Sequence, residues 1–71
     1  MVVTLGLKRL VSTAEWKVVV WLDGKLSEDN ACYETTKENA VGSMLAMRYR
    51  FVQSGHTTAY TNTALNAIKE N

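Results

Sequence analysis

Apolar and polar residues alternate over VVTLGLKRLV (residues 2–11). Val3, Leu5 and Leu7 fall on one side of an extended chain, and Thr4, Gly6 and Lys8 on the other. That period of two is the signature of a strand. STAE (12–15) is short and polar enough to connect it to a second strand, WKVVVWL (16–22). Here the alternation gives two greasy faces, with Trp16, Val18, Val20 and Leu22 on one and Lys17, Val19 and Trp21 on the other. Asp23-Gly24 ends the strand with a pair suited to the φ > 0 positions of a two-residue hairpin. Lys25-Leu26 opens a third strand, which SEDN (27–30) interrupts and ACYE (31–34) resumes. These elements predict a three-stranded antiparallel meander whose third strand is weak or broken.

The period then changes. Over residues 36–53, Ala40, Val41, Met44, Leu45, Met47, Phe51 and Val52 fill one arc of a helical wheel, about 160° wide at 100° per residue. Thr35 and Glu38 have capping-box spacing, each able to satisfy an orphan backbone N–H. Gly55 stands where a left-handed residue ends a helix. HTTAYT (56–61) fits either a fourth short strand or a loop. NTALNAIKEN (62–71) reads as a short helix capped by Asn62, with Leu65 and Ile68 on its apolar side. It is shorter than the ~12–15 residues at which helices become self-supporting, so it must dock to exist. The predicted fold is α+β: a three-stranded antiparallel meander packed on one main α-helix, with a short C-terminal helix, in a single domain over residues 1–71.

The covering helix accounts for one sheet face. Val19 and Trp21 on the second face need a cover as well. The candidates are the C-terminal helix folded beneath the sheet, a second copy of the chain, or a different partner. Length sharpens the question, because a lone core in a chain of 71 residues seldom supplies more than about 3–5 kcal/mol. Small domains therefore lean on disulfides, metals or association. Cys32 is the only cysteine and His56 the only histidine, so an internal disulfide is excluded and a four-ligand zinc site nearly so. Neither a metal nor a cofactor is expected, and self-association is the expected support. The single cysteine and the lack of an apolar leader point to a cytoplasmic setting. The longest apolar run, Val18 to Leu22, is far short of the ~20 residues of a membrane helix.

A formal net charge of +1 does not announce a nucleic-acid partner. The charges are segregated, however. Asp23, Glu28, Asp29, Glu34 and Glu38 outnumber Lys25 and Lys37 in the middle of the chain, while both flanks are basic. Arg48 is the most unusual charge, since it falls inside the apolar arc of the main helix. Either its methylene stem lies along apolar surface with the head escaping to water, or the guanidinium is held toward a partner's carboxylate or phosphate. The opposite side of that helix carries Asn39, Gly42, Ser43 and Ala46. Gly42 is disfavoured mid-helix by about 1 kcal/mol against alanine. A close approach there, internal or between copies, would explain it, and Gly42 and Ala46 are the candidate self-association residues.

Three function classes remain. The first is a non-enzymatic protein-binding module (a regulator, inhibitor or adaptor) that works through the second sheet face, with Lys17, Val19, Trp21 and Arg48 as contact residues, and that self-associates. Tryptophan is the side chain most often dominant at such contacts. The second is a nucleic-acid binder that uses Lys8, Arg9, Lys17 and Lys25 around the hairpin, with Trp21 stacking on a base. Arg48 and Arg50 in RYR lie about 200° apart on a helix and cannot form one patch. The third, an enzyme, has only Cys32 and His56 as a conceivable nucleophile and base. No orienting third group, P-loop, dinucleotide fingerprint or calcium loop accompanies them. The expectation is the protein-binding module, with no catalytic residues.

Overall fold

A computed structural model describes residues 1–70 of the chain. Strands β1 (Val2–Leu10) and β2 (Glu15–Leu22) form an antiparallel hairpin in which Leu5 faces Val20, Gly6 faces Val19 and Leu7 faces Val18. The turn between them closes at Ala14, with φ of +57°. Asp23 and Gly24 have φ of +50° and +84°, so the expected two-residue turn forms. Its aspartate also accepts the Val2 N–H at 2.8 Å, tying the turn to the start of β1. The third strand is broken, as its pattern predicts. β3 (Lys25–Leu26) and β4 (Cys32–Glu34) both pair antiparallel with β2, and a single 3-10 turn, Glu28–Asn30, separates them.

The sheet does not stop at a meander. After helix α1 (Lys37–Gln53), strand β5 (Thr57–Tyr60) lies alongside β1 and parallel to it. Helix α2 (Asn62–Glu70) follows; the predicted last residue of that helix, Asn71, lies outside the described residues. The sheet is therefore mixed and five-stranded, which corrects the three-stranded antiparallel expectation. Val2 pairs with Thr57 and Leu5 with Tyr60. Contacts so distant in sequence leave no local pattern, because strand periodicity does not name a neighbour. α1 makes the pairing possible by returning the chain to the end of the sheet where β1 begins.

Helix ends follow backbone accounting. Thr36, one residue later than expected, caps α1 by accepting the Asn39 N–H at 3.1 Å. At the other end the Gly55 N–H donates to the Val52 carbonyl and the His56 N–H to the Phe51 carbonyl, both at 3.0 Å. Gly55 has φ of +87°, and the Phe51 and His56 rings meet edge-on with centroids 6.1 Å apart. This is a Schellman ending with its customary side-chain contact. Thr61, in place of the expected Asn62, caps α2 through its hydroxyl oxygen, which accepts the Ala64 N–H at 3.3 Å.

Both helices pack on the same side of the sheet. Val3, Leu5, Leu7, Val18 and Val20 are buried beneath Ala40, Val41, Met44 and Met47 of α1 and Ala64 and Ala67 of α2. Trp16, Leu22, Phe51, Tyr60 and Ile68 border that core. The contact line of α2 runs through two alanines, which allow a short helix to settle close to the sheet; Leu65, expected on that line, is exposed. Lys37 at the start of α1 forms an ion pair with Glu70 at the end of α2. Burial of the larger side chains stabilises the fold by roughly 1.5–3 kcal/mol each.

Candidate binding face of the sheet

Because α1 and α2 share one side, neither lies across the second face. Strand alternation and register assemble that face from Val2, Thr4, Gly6 and Lys8 of β1, Lys17, Val19 and Trp21 of β2, Leu26 of β3 and Tyr33 of β4. Thr57, Ala59 and Thr61 extend it past β1. Large apolar groups on it remain open to water, with Leu26 56 % and Tyr33 50 % exposed.

Part of the face covers itself. A Cβ placed on Gly6 would lie 3.0 Å from Cζ3 of Trp21 and 3.1 Å from Cγ2 of Thr61. The indole therefore lies down over the glycine, in space that any other residue would occupy. A glycine inside a strand weakens it unless something fills the gap, and a diagonal aromatic on the neighbouring strand can fill it. Val19, opposite Gly6, is only 9 % exposed as a result. Gly6 is the residue sequence reasoning missed, although a glycine within a period-two pattern is itself a sign of close approach. A groove of about 500 Å³ runs past Gly6, Lys8, Trp21, Leu26, Glu28 and Thr61.

One of the two lysines on this face is tied. Lys17 Nζ donates to both carboxylate oxygens of Glu28, at 3.0 and 2.9 Å, and lies 5.4 Å from the centre of the Tyr33 ring. The hydrogen bond to Glu28 raises the Lys17 pKa above its ordinary value against a smaller opposing effect of burial. Lys8 is exposed on the same face opposite Lys17. Arg9 stands opposite Trp16 and Lys25 opposite Leu22, which places both on the helix-covered side. The four basic residues of the hairpin are thus divided between two faces.

Arg48, the other predicted contact residue, is exposed on α1 with its guanidinium carbon 6.0 Å from the centre of the Tyr60 ring. It lies on the helix side, away from Val19 and Trp21. Burial pushes the Tyr60 hydroxyl pKa up, and Arg48 pulls it back. Gly42 is exposed, and a Cβ built there meets nothing within 4 Å, so no internal close approach accounts for it. Ala46 is exposed too. It borders a second depression, of about 770 Å³, between α1 and the Glu28–Glu34 segment, which Cys32, Ser43 and Arg50 also line. Beside it the Glu34 carboxylate accepts the Ser43 hydroxyl at 2.6 Å and the Cys32 thiol at 3.3 Å. Those two bonds, the serine's first, hold Glu34 below the usual carboxylate range. Burial, followed by the bond to Glu34, pushes the Cys32 thiol up and away from the reactive thiolate. His56 precedes β5 while Cys32 is in β4, at opposite edges of the sheet.

Among the described residues, no group of three or more His, Cys, Asp or Glu side chains converges in a way that could hold a metal ion, and no helix is long and apolar enough to cross a membrane. No protein-family model, curated protein or solved structure matches the chain.

Proposed function

We propose that this chain is a small non-enzymatic protein-binding module whose working surface is the helix-free sheet face, and that it also associates with itself. The observation that carries the reading is the placement of both helices on one side, which leaves Trp21, Leu26 and Tyr33 on the other without a covering helix, with Val19 sealed beneath the indole. Exposed large apolar side chains on a face without a covering layer commonly mark an interaction site. An aromatic anchor with a polar rim is the usual arrangement of such contacts. Trp21 is the anchor, Val19 its support, and Lys17 with Glu28 an orienting pair on the rim. Arg48 is left out of this surface, because it belongs to the opposite side of the sheet.

The nucleic-acid alternative is the weaker reading. Its four basic residues are split between the faces, and Lys17 is already engaged by Glu28. A backbone-tracking surface needs clustered cations.

The test is capture on the immobilised chain, followed by calorimetric titration of the retained binder. A protein binder should lose about 2 kcal/mol or more of affinity with Trp21→Ala, show a shallow salt dependence, and be indifferent to Tyr49→Ala on the outer side of α1. A binder unaffected by Trp21→Ala rules out the face as its site. A nucleic acid whose affinity falls steeply with salt puts the alternative in its place.

A further inference from the structure

The sheet has a second unfinished surface, its β5 edge. We infer that this edge pairs with the β5 edge of a second copy of the chain, antiparallel and about a two-fold axis through Ala59, joining two sheets into one. The inference names the surface for the self-association proposed above and uses the backbone edge of β5 in place of Trp21 and its neighbours on β2, β3 and β4.

Backbone direction comes first. The Thr57 N–H donates to the Met1 carbonyl at 3.1 Å and the Thr61 N–H to the Leu5 carbonyl at 2.9 Å. In a parallel pair the bonding residues alternate, so Thr57, Ala59 and Thr61 turn their backbone groups toward β1, and Thr58 and Tyr60 turn theirs outward. β5 is the last strand in the sheet order among the described residues. Edge strands normally carry guards against pairing: a lysine, a proline, a bulge or an inward charge. β5 has none of them, and residues 51–68 contain no Asp, Glu, Lys or Arg. The opposite edge differs, with Lys25, Glu28, Asp29 and Glu34 along it.

The register suits a copy of the same strand. A two-fold axis at Ala59 sets Thr58 opposite the partner's Tyr60, and Tyr60 opposite the partner's Thr58. All four are outward-bonding residues, so the exchanged N–H and carbonyl groups match without a slip. Ala59 then meets its own counterpart in the narrow, non-hydrogen-bonded position, where Cα atoms come within about 4.5 Å and a small uncharged side chain is needed. The helix layer adds apolar surface on the same flank. Leu45, Arg48 and Val52 recur at i, i+3 and i+7 along α1, and Arg48 reaches Tyr60 of β5, so the stripe overhangs this edge. Leu45 is 43 % and Val52 47 % exposed, and the pairing would draw both toward the copy. The one cation of the stripe rests on Tyr60.

Sedimentation velocity from low-micromolar to near-millimolar concentration tests the pairing. The full chain should show a monomer–dimer equilibrium. Thr58→Pro removes one outward N–H and leaves the bonds to β1 in place; it should weaken the dimer by more than about tenfold. Ala59→Lys sets two cations together at the axis and should do the same, with the circular dichroism of both variants unchanged. Trp21→Ala should leave the dimer intact, which separates this inference from the open-face reading. A monomer at every concentration overturns the pairing, as does a dimer that survives Thr58→Pro and Ala59→Lys or one abolished by Trp21→Ala alone.

Discussion

The two faces of one sheet are made by the same strands and finished in opposite ways. On the first, Val3, Leu5, Leu7, Val18 and Val20 disappear beneath two helices that contribute alanines, a valine and methionines. On the second, a tryptophan lies over a glycine, a valine is sealed between them, and threonines, a tied lysine and exposed Leu26 and Tyr33 make up the remainder. The covered face supplies most of the buried apolar area and hence most of the stability. The open face is only partly dry and is held in shape by close local contacts. One side of a layer one residue thick is thereby sealed, and the other is left partly open to water.

The sharpest way to break this division is through the core. Leu5→Ala, fully buried under the helices, should cost about 2–5 kcal/mol, comparable with everything a lone core of this size provides. Loss of a cooperative thermal transition is the expected readout, and a fully cooperative transition near the unaltered midpoint would contradict it. Gly6→Ala probes the other side. Its new methyl group meets the indole at 3.0 Å, so overpacking of about 1–3 kcal/mol is expected. Trp21 should swing toward water and its fluorescence move to the red. In the Trp21→Ala background the same change should cost less, with the 3.1 Å approach to Thr61 as the remainder, and a double-mutant cycle measures the difference.

A smaller effect separates the helix layer from both. Thr36→Ala removes the α1 cap and should cost about 1 kcal/mol in chemical denaturation, while Thr35→Ala should cost almost nothing. The smallest expected effect is a contrast in pH. Glu34, beneath α1, has a folded-state pKa below its ordinary value. Its contribution is complete above the ordinary carboxylate range and fades as pH falls through the folded value. Ser43→Ala should raise the Glu34 titration midpoint seen by NMR and shift the acid limb of stability to higher pH. Lys17, on the open face, has a raised pKa. Its contribution is complete below the ordinary lysine range and is lost as pH rises through the folded value. Glu28→Gln should lower the Lys17 midpoint and leave the acid limb of Glu34 unmoved.

Much of this construction was legible in residue order. The Asp23-Gly24 turn, the broken third strand, the Gly55 ending and the main helix all follow from chemistry within a few positions of each other. The capping residues were each misplaced by one, Thr36 for Thr35 and Thr61 for Asn62, because neighbouring hydroxyl and amide side chains offer the same acceptor and only the chain's path selects between them. Arg48 falls inside the apolar arc of α1, but a helical wheel cannot show that only part of that arc meets the sheet and that Leu45, Arg48 and Val52 stay exposed. Gly6 reads as one more alternating position, since its role depends on an indole fifteen positions away lying across it.

Residue order by itself determined where the chain extends, coils and turns, and that its second strand is apolar on two sides. Those properties arise from sterics, hydrogen bonding and periodicity over a handful of neighbours. Tertiary structure alone decided that β5 joins β1 in parallel, that α2 docks beside α1, and that the Trp21 face stays uncovered. Each is a choice among partners distant in sequence, settled by which closure buries the most apolar surface without orphaning backbone groups, and no local pattern encodes that comparison.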